Sequence, residues 1–285
     1  MNKEFFKELI NKNGKKFIFI GEISTNHRGS LLLAKKLINS AKKSGCDFVK
    51  FQTYENSSMT INSKKNRFKI KSGLWKGYNL WSLYSKAQTP FKWQEDLFKH
   101  SRKSKIKCFS SPFDKKGLKI LESLKCPIYK IASIENTDFS LLKDIAKTKK
   151  PVIMSTGTAN IKEIEKSFYF LKKNGCKHIA LLYCVTNYPA KIEDFNLNNI
   201  KLLKKKFKCT VGFSDHSNNP DIVKGAIASG AEIIEKHIDI KTNKKSLDKD
   251  FSIQENDLKK LINNLTSIKK LFLNEKYFLS KGDIK

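Results

Sequence analysis

Arginine is nearly missing from this chain. Only Arg28, Arg67 and Arg102 are found among 57 basic residues, although the formal net charge is +30. Proteins that grip nucleic acid favour the guanidinium fork for bases and phosphates. The lysines here are spread over the whole chain, in stretches such as "LAKKLINSAKKSG" and "IKLLKKKFK", where they read as solvated helix faces. The charge therefore argues for no nucleic-acid partner, though its field favours an anionic substrate. Long apolar runs are missing too. The longest, such as "IALLYCV" at 179–185, are strand-sized and far short of the roughly 20 residues of a membrane span. The opening "MNKEFFKELINKNGKK" has no sustained apolar stretch and no small-residue cleavage site, so no secretory signal is read. The six cysteines form no CxxC pair, which points to reduced thiols in a cytoplasm rather than a disulfide frame or zinc site. No G-x-G-x-x-G follows the first predicted strand, which counts against a doubly wound dinucleotide fold. No Ser sits in a G-x-S-x-G elbow, which counts against a serine triad.

What is present is an eightfold alternation. β-rich runs fall at 17–23, 47–52, 107–111, 128–133, 151–157, 179–185, 210–216 and 232–239. Amphipathic helical patterns separate them, for example at 30–45 and 219–230, and Gly45, Gly175 and Gly230 fit C-terminal caps. A last helix is expected over about 254–273. The pattern predicts an α/β protein, a (β/α)₈ TIM barrel forming one domain over residues 1–285. One connection, from about 53 to 106, is abnormally long; its polar, irregular first part is expected to lie over the barrel mouth.

Barrel enzymes place their chemistry at the carboxyl ends of the strands. All eight predicted ends carry polar groups, among them Glu22, Lys50, Gln52, Ser110, Ser111, Lys130, Ser133, Glu135, Ser155, Thr156, Thr186 and Tyr188. Lys50 and Lys130 stand in apolar strands ("FVKFQ", "IYKIA"), unlike most lysines of the chain. With Ser111, Ser133, Ser155 and Ser214 they suit a phosphate or carboxylate. Lys130 could equally form a Schiff base, and spacing does not separate the two. His216 and His237 end neighbouring strands, each beside a carboxylate, Asp215 or Glu235, and form a candidate site for a divalent metal. His27 is expected at the rim of the mouth; His100 and His178 take no role, and Cys184 is expected to be buried. The stretch "EIIEKHIDI" (232–240) crowds charge into an apolar strand. Alternation sets Glu235, His237 and Asp239 on one face and Lys236 with the isoleucines on the other, where no partner for it is evident.

The ordered motifs "EISTNHRGSLLLAKKLINSAKKSGCDFVKFQTY", "FSSPFD", "YKIAS", "STG", "YCVTNYPAKIEDFNL", "GFSDHS" and "EKHI" resemble the sialic acid synthase family. The likeness covers about residues 15–270. It is greatest to the pseudaminic branch, with Ser24 and Ile134 where sialate synthases usually have Gly. The resemblance implies condensation of phosphoenolpyruvate with an N-acetylated hexose. The preferred hexose is 2,4-diacetamido-2,4,6-trideoxy-altrose, with N-acetylneuraminate or legionaminate synthesis as the alternative. It implies that Lys50, Ser111, Lys130, Ser133, Ser155, Ser214 and, less directly, Thr186 bind phosphoenolpyruvate. By the same token His216 and His237 hold Mn²⁺ or Mg²⁺, and Glu22, Gln52, Glu135, Tyr188 and Asp248 face the sugar. Glu22 and the two histidines are the implied catalytic groups.

Family members continue into a small antifreeze-protein-like domain that lends an Arg to the partner's sugar site in a swapped homodimer. The sequence given ends at Lys285 without one. Phosphoenolpyruvate and metal sites are expected to be whole in the barrel. The sugar site invites three readings: a separate capping protein, a different substrate, or a barrel that binds without turnover.

Overall fold

The computed structural model describes residues 5–272. Eight strands pair in parallel in chain order: β1 (Ile18–Glu22), β2 (Phe48–Thr53), β3 (Lys107–Pro112), β4 (Tyr129–Ile131), β5 (Val152–Ser155), β6 (Ile179–Cys184), β7 (Val211–Asp215) and β8 (Ile233–Asp239). β1 also pairs with β8, matching Glu22 to His237, so the sheet closes into the expected barrel. A short β9 (Ile253–Gln254) pairs with the end of β8.

The helices are α1 (Phe5–Lys12), α2 (Leu31–Ser44), α3 (Asn56–Met59), α4 (Leu80–Ala87), α5 (Phe91–Lys103), α6 (Lys115–Ser123), α7 (Phe139–Lys147), α8 (Ile161–Lys173), α9 (Asn198–Phe207), α10 (Pro220–Ala228) and α11 (Glu255–Leu271). α2 and α5 to α11 are the eight barrel helices, one after each strand. Local chemistry sets their ends. Ser30 caps α2 by accepting from Leu33 N, and Gly45 closes it at φ 93°, a left-handed conformation that glycine adopts without steric cost. Asn160 and Glu163 form a reciprocal capping box on α8. Each of the eight barrel helices turns its apolar stripe inward, and the core is continuous around the barrel. Among the described residues no helix is long and apolar enough to cross a membrane.

Strand β4 is shorter than the sequence suggests. Residues 134–137 turn into a 3₁₀ helix instead of continuing the ladder. Side chains replace the missing bonds: Asn136 Nδ2 donates to Ser155 O at 3.3 Å and Gly157 O at 3.2 Å, and Thr158 Oγ1 donates to Ser133 O at 3.0 Å. The long β2–α5 connection carries α3, α4 and a 3₁₀ turn at 66–68, and it does roof the barrel mouth.

Candidate functional site

Alternation along the strands sends every second side chain into the barrel. At the carboxyl-end layer this assembles a buried polar floor. Lys50 Nζ lies 2.6 Å from Glu22 Oε2 and 3.4 Å from Glu235 Oε2. Ser214 Oγ donates to Glu235 Oε1 at 2.9 Å. Lys130 Nζ donates to Ser155 Oγ at 2.5 Å and to Ile131 O at 3.0 Å, and among the described residues no carboxylate comes within ion-pair reach of it. All of these residues are buried. The two lysines therefore differ. Burial opposes the charge on Lys50, but Glu22 and Glu235 outweigh it and hold its pKa above the ordinary value. Burial, aided by the charge of Lys50, pulls Lys130 below it. Glu235 is buried as well, yet Lys50, Lys130 and the Ser214 hydroxyl hold it below the usual carboxylate range.

Glu22 is gripped from three sides: besides Lys50, Ser24 N donates to its Oε1 at 2.9 Å, and Gln52 Nε2 stands 3.4 Å away. Ser24 sits at φ 41°, in the left-handed region that favours glycine. Its hydroxyl accepts from Gln52 at 3.1 Å, a tie glycine could not make. Gly157, after β5, is needed for a different reason. A Cβ there would stand 2.6 Å from Thr186 Cγ2 and 2.8 Å from Ser133 Oγ, so only glycine lets those two groups converge.

The histidines meet at the edge of this floor. The rings of His216 and His237 are 5.4 Å apart. His216 Nδ1 is 2.9 Å from Val185 O. A carbonyl can only accept, so Nδ1 carries the proton and Nε2 keeps its lone pair. Burial and the neighbouring His237 lower the His216 pKa to about 4, so this ring is a neutral donor at physiological pH. Asp248 Oδ2 stands 3.3 Å from His237 Nδ1, outside hydrogen-bond alignment. Among the described residues no third His, Cys, Asp or Glu joins to form a protein-only metal cage. The donor set fits an open metal site, with water or substrate completing the shell.

Above the floor lies a cavity of about 340 Å³. Gln52, Ser133, Glu135, Thr186, Tyr188, His237 and Asp248 give it one polar side. Met59, Trp75, Leu83 and Tyr84, from the long connection, make the other largely apolar. Trp75 Nε1 donates to Leu247 O at 3.0 Å, joining roof to the β8–α11 loop. The rings of Tyr188 and Phe251 lie 5.1 Å apart, tilted by 59°, and each packs against a histidine: Tyr188 lies 4.5 Å from His216 and Phe251 4.8 Å from His237. Burial raises the pKa of Glu135 to about 7, and its Oε2 has no hydrogen-bond partner among the described residues.

The candidate residues thus divide into two tiers. Lys50, Ser111, Lys130, Ser155, Ser214, Glu22 and His216 lie beneath the cavity, and the other seven line it. Three expectations are corrected. Asp215 does not serve the histidines: it faces the helices, where it pairs with Lys236 at 2.5 Å. Glu235 serves Lys50 and Ser214 instead. The carboxylate at the histidine pair is Asp248, 11 residues beyond His237. His27 is buried rather than at the rim; it accepts from Gly29 N at 3.1 Å and stacks edge-on with Trp93, and burial lowers its pKa to about 4. Sequence reasoning also passed over Trp75, Tyr84 and Phe251: Trp75 stands in an irregular stretch, Tyr84 in the short helix α4 and Phe251 in a 3₁₀ turn, none long enough to leave a periodic signal.

Comparisons with known proteins bear on the family and the fold. A profile of the NeuB family matches residues 37–277. The pseudaminic acid synthase of Campylobacter jejuni is 42% identical over 248 residues, covering 87% of this chain and 72% of that protein. The N,N'-diacetyllegionaminic acid synthase of the same organism is 39% identical over 259 residues, covering 90% of this chain and 77% of that protein. Among solved structures, the N-acetylneuraminic acid (sialic acid) synthetase of Leptospira borgpetersenii, in complex with citrate, superposes with a TM-score of 0.84 at 32% identity, over 93% of this chain and 88% of that one.

Proposed function

The chain belongs to the NeuB family, and from that premise we propose that it condenses phosphoenolpyruvate with an N-acetylated amino sugar to give a nine-carbon nonulosonic acid. The greater identity to pseudaminic acid synthases favours 2,4-diacetamido-2,4,6-trideoxy-altrose as the sugar. One observation carries the reading. Of the ten buried polar side-chain atoms without a hydrogen bond among the described residues, six lie at this site. Those of Glu22 and Glu235 still face Lys50 Nζ and that of His237 faces Asp248, which leaves those of Thr25, Ser111 and Glu135 with neither a hydrogen bond nor an ion pair among the described residues. Native proteins leave few such groups, and a concentration of them marks a place where a polar ligand completes the network.

The two tiers suit two substrates. In the floor, Lys130 with Ser111, Ser155 and Ser214 would hold the phosphate and carboxylate of phosphoenolpyruvate, and Lys50 would turn from its carboxylates toward the incoming charge. An anion arriving there also favours the charged form of Lys130. The sugar, in its open-chain form, would lie in the cavity above. Gln52, Glu135, Tyr188 and Asp248 would meet its polar groups, and the Met59–Leu83 side its methyls. C3 of phosphoenolpyruvate then attacks the aldehyde carbon, leaving positive charge at C2. Water adds at C2, and the tetrahedral intermediate collapses with C–O cleavage to the keto acid and phosphate. Glu22, beneath the cavity, would exchange protons in these steps. His216 and His237, with Asp248 behind the latter, would hold a divalent cation, Mn²⁺ or Mg²⁺. Bound there, it would supply Lewis acidity toward the aldehyde oxygen. An antifreeze-like unit of the kind the resemblance implies would complete the sugar side.

The test is incubation with phosphoenolpyruvate, Mn²⁺ and a panel of N-acetylated hexoses, followed by phosphate release and product mass. Sugar-dependent phosphate with a product heavier by a pyruvyl unit is expected. No sugar-dependent phosphate from any member would leave a barrel that binds without turnover.

A further inference from the structure

Arg28 is one of only three arginines in the chain, and its backbone is left-handed at φ 49°. Glycine would hold that conformation without strain, so the side chain needs a reason to be there. Its fork supplies one. Nη2 pairs with Asp239 Oδ2 at 2.7 Å, Nε donates to Lys244 O at 2.7 Å, and Nη1 donates to Asn26 O at 2.5 Å. Both charged side chains are buried, at 6% and 1% exposure. Lysine has one nitrogen and could not reach three acceptors in three directions.

The acceptors share a location. Asp239 ends β8, and Lys244 lies in the irregular 240–252 loop that brings Leu247, Asp248 and Phe251 to the cavity. Asn26, two residues before Arg28, ties the far side of that loop. Its Nδ2 donates to Ile238 O at 2.7 Å and Ser252 Oγ at 2.9 Å, and its Oδ1 accepts from the Ser246 hydroxyl. The loop has little regular structure of its own beyond a 3₁₀ turn at 249–251, so these ties set where Asp248 stands relative to His237.

We propose that Arg28 is a positioning residue for the sugar half of the site: through Asp239 and Lys244 O it holds the 240–252 loop in the conformation that presents Asp248 and Phe251 to the cavity. It touches neither the lysine floor nor the cavity, so its effect falls on one substrate. The kinetic part rests on the synthase reading; the structural part does not.

Three variants test it: Arg28→Ala, Arg28→Lys and Asp239→Asn. In Arg28→Ala and Arg28→Lys, the KM for the amino sugar should rise at least tenfold while the KM for phosphoenolpyruvate stays within twofold. Asp239→Asn keeps an acceptor for the guanidinium and should retain most of the wild-type sugar KM. Hydrogen exchange read by mass spectrometry should show faster exchange over 240–252 in Arg28→Lys, with 107–131 unchanged. Equal rises in both KM values, or unaltered exchange over 240–252, would overturn the proposal. If no sugar is turned over by the wild type, the synthase reading fails on its own assay, and the exchange of 240–252 still decides the role of Arg28. If Arg28→Ala does not fold, Arg28→Lys carries the same measurements.

Discussion

Lys236 and Asp215 form an ion pair of 2.5 Å on the helix-facing side of the barrel, across the β7–β8 pairing, with 5% and 0% of their side chains exposed. Lys236 Nζ also donates to Ser217 O at 2.9 Å. Breaking a buried pair by removing one member strands the other charge, at a cost of roughly 3–5 kcal/mol, whereas replacing both with apolar groups can be near neutral. Asp215→Ala should therefore lower stability by that amount in urea unfolding. Asp215→Leu/Lys236→Met should recover most of it. A double variant as unstable as the single one would show that packing, not charge, sets the cost.

The histidine pair makes a sharper claim about metal. His216→Ala or His237→Ala should abolish measurable Mn²⁺ binding by calorimetry. Asp248→Asn, which removes the charge next to His237 without removing a ligand, should weaken it by about 10–100-fold, as outer-shell changes commonly do. Undiminished Mn²⁺ affinity in His216→Ala would refute the assignment.

Lys130 admits two chemistries, and they can be told apart. As an anion clamp, Lys130→Met should raise the KM for phosphoenolpyruvate by about tenfold or more, corresponding to ~1.4 kcal/mol of lost binding. Borohydride treatment of the wild-type enzyme with substrates should leave no covalent adduct. A trapped adduct on Lys130 would establish the Schiff base instead.

Glu135 predicts a pH dependence whose sign is fixed by its environment. Burial raises its folded pKa from 4.5 to about 7. Between those values the folded protein binds more protons at this position than the unfolded chain does, so stability falls as pH rises. The contribution is complete below about pH 4.5 and gone above about pH 7. At about 1.4 kcal/mol per unit, the loss is at most roughly 3 kcal/mol. Glu135→Gln should flatten this part of the stability–pH curve and be the more stable protein at pH 8. An unchanged slope between pH 5 and 7 would count against a buried, proton-retaining carboxyl.

Most of the fold was legible because hydrophobic periodicity and cap residues are local signals: strands moved by a residue or two, and α2 kept its Ser30 and Gly45 ends. The charged stretch 232–240 shows where locality ends. Alternation separated its two faces correctly, but partners come from far along the chain. Glu232 pairs with Lys7 and, at 3.0 Å, with Lys204; Lys236 pairs with Asp215, and Asp239 with Arg28. Asp215 and Glu235 precede the histidines in sequence, yet neighbouring positions on a strand point to opposite faces or different layers. The roof residues Met59, Trp75 and Tyr84 were hidden for a related reason: the short helices α3 and α4 and the irregular stretch between them pack by tertiary contact and are too short for a repeat to read.

The stacking of the cavity over the floor has a kinetic meaning. Lys130, Ser155 and Ser214 are buried beneath residues that line the cavity, so the way down to them leads through the space the sugar would fill. A sugar seated first would cork the lower chamber. With the two substrates seated as proposed, the enolpyruvyl substrate would arrive first, and phosphate released below would leave after the nine-carbon product above it. On the proposed reaction, that stacking would impose a compulsory sequence, first in and last out, where the chemistry alone would accept either order.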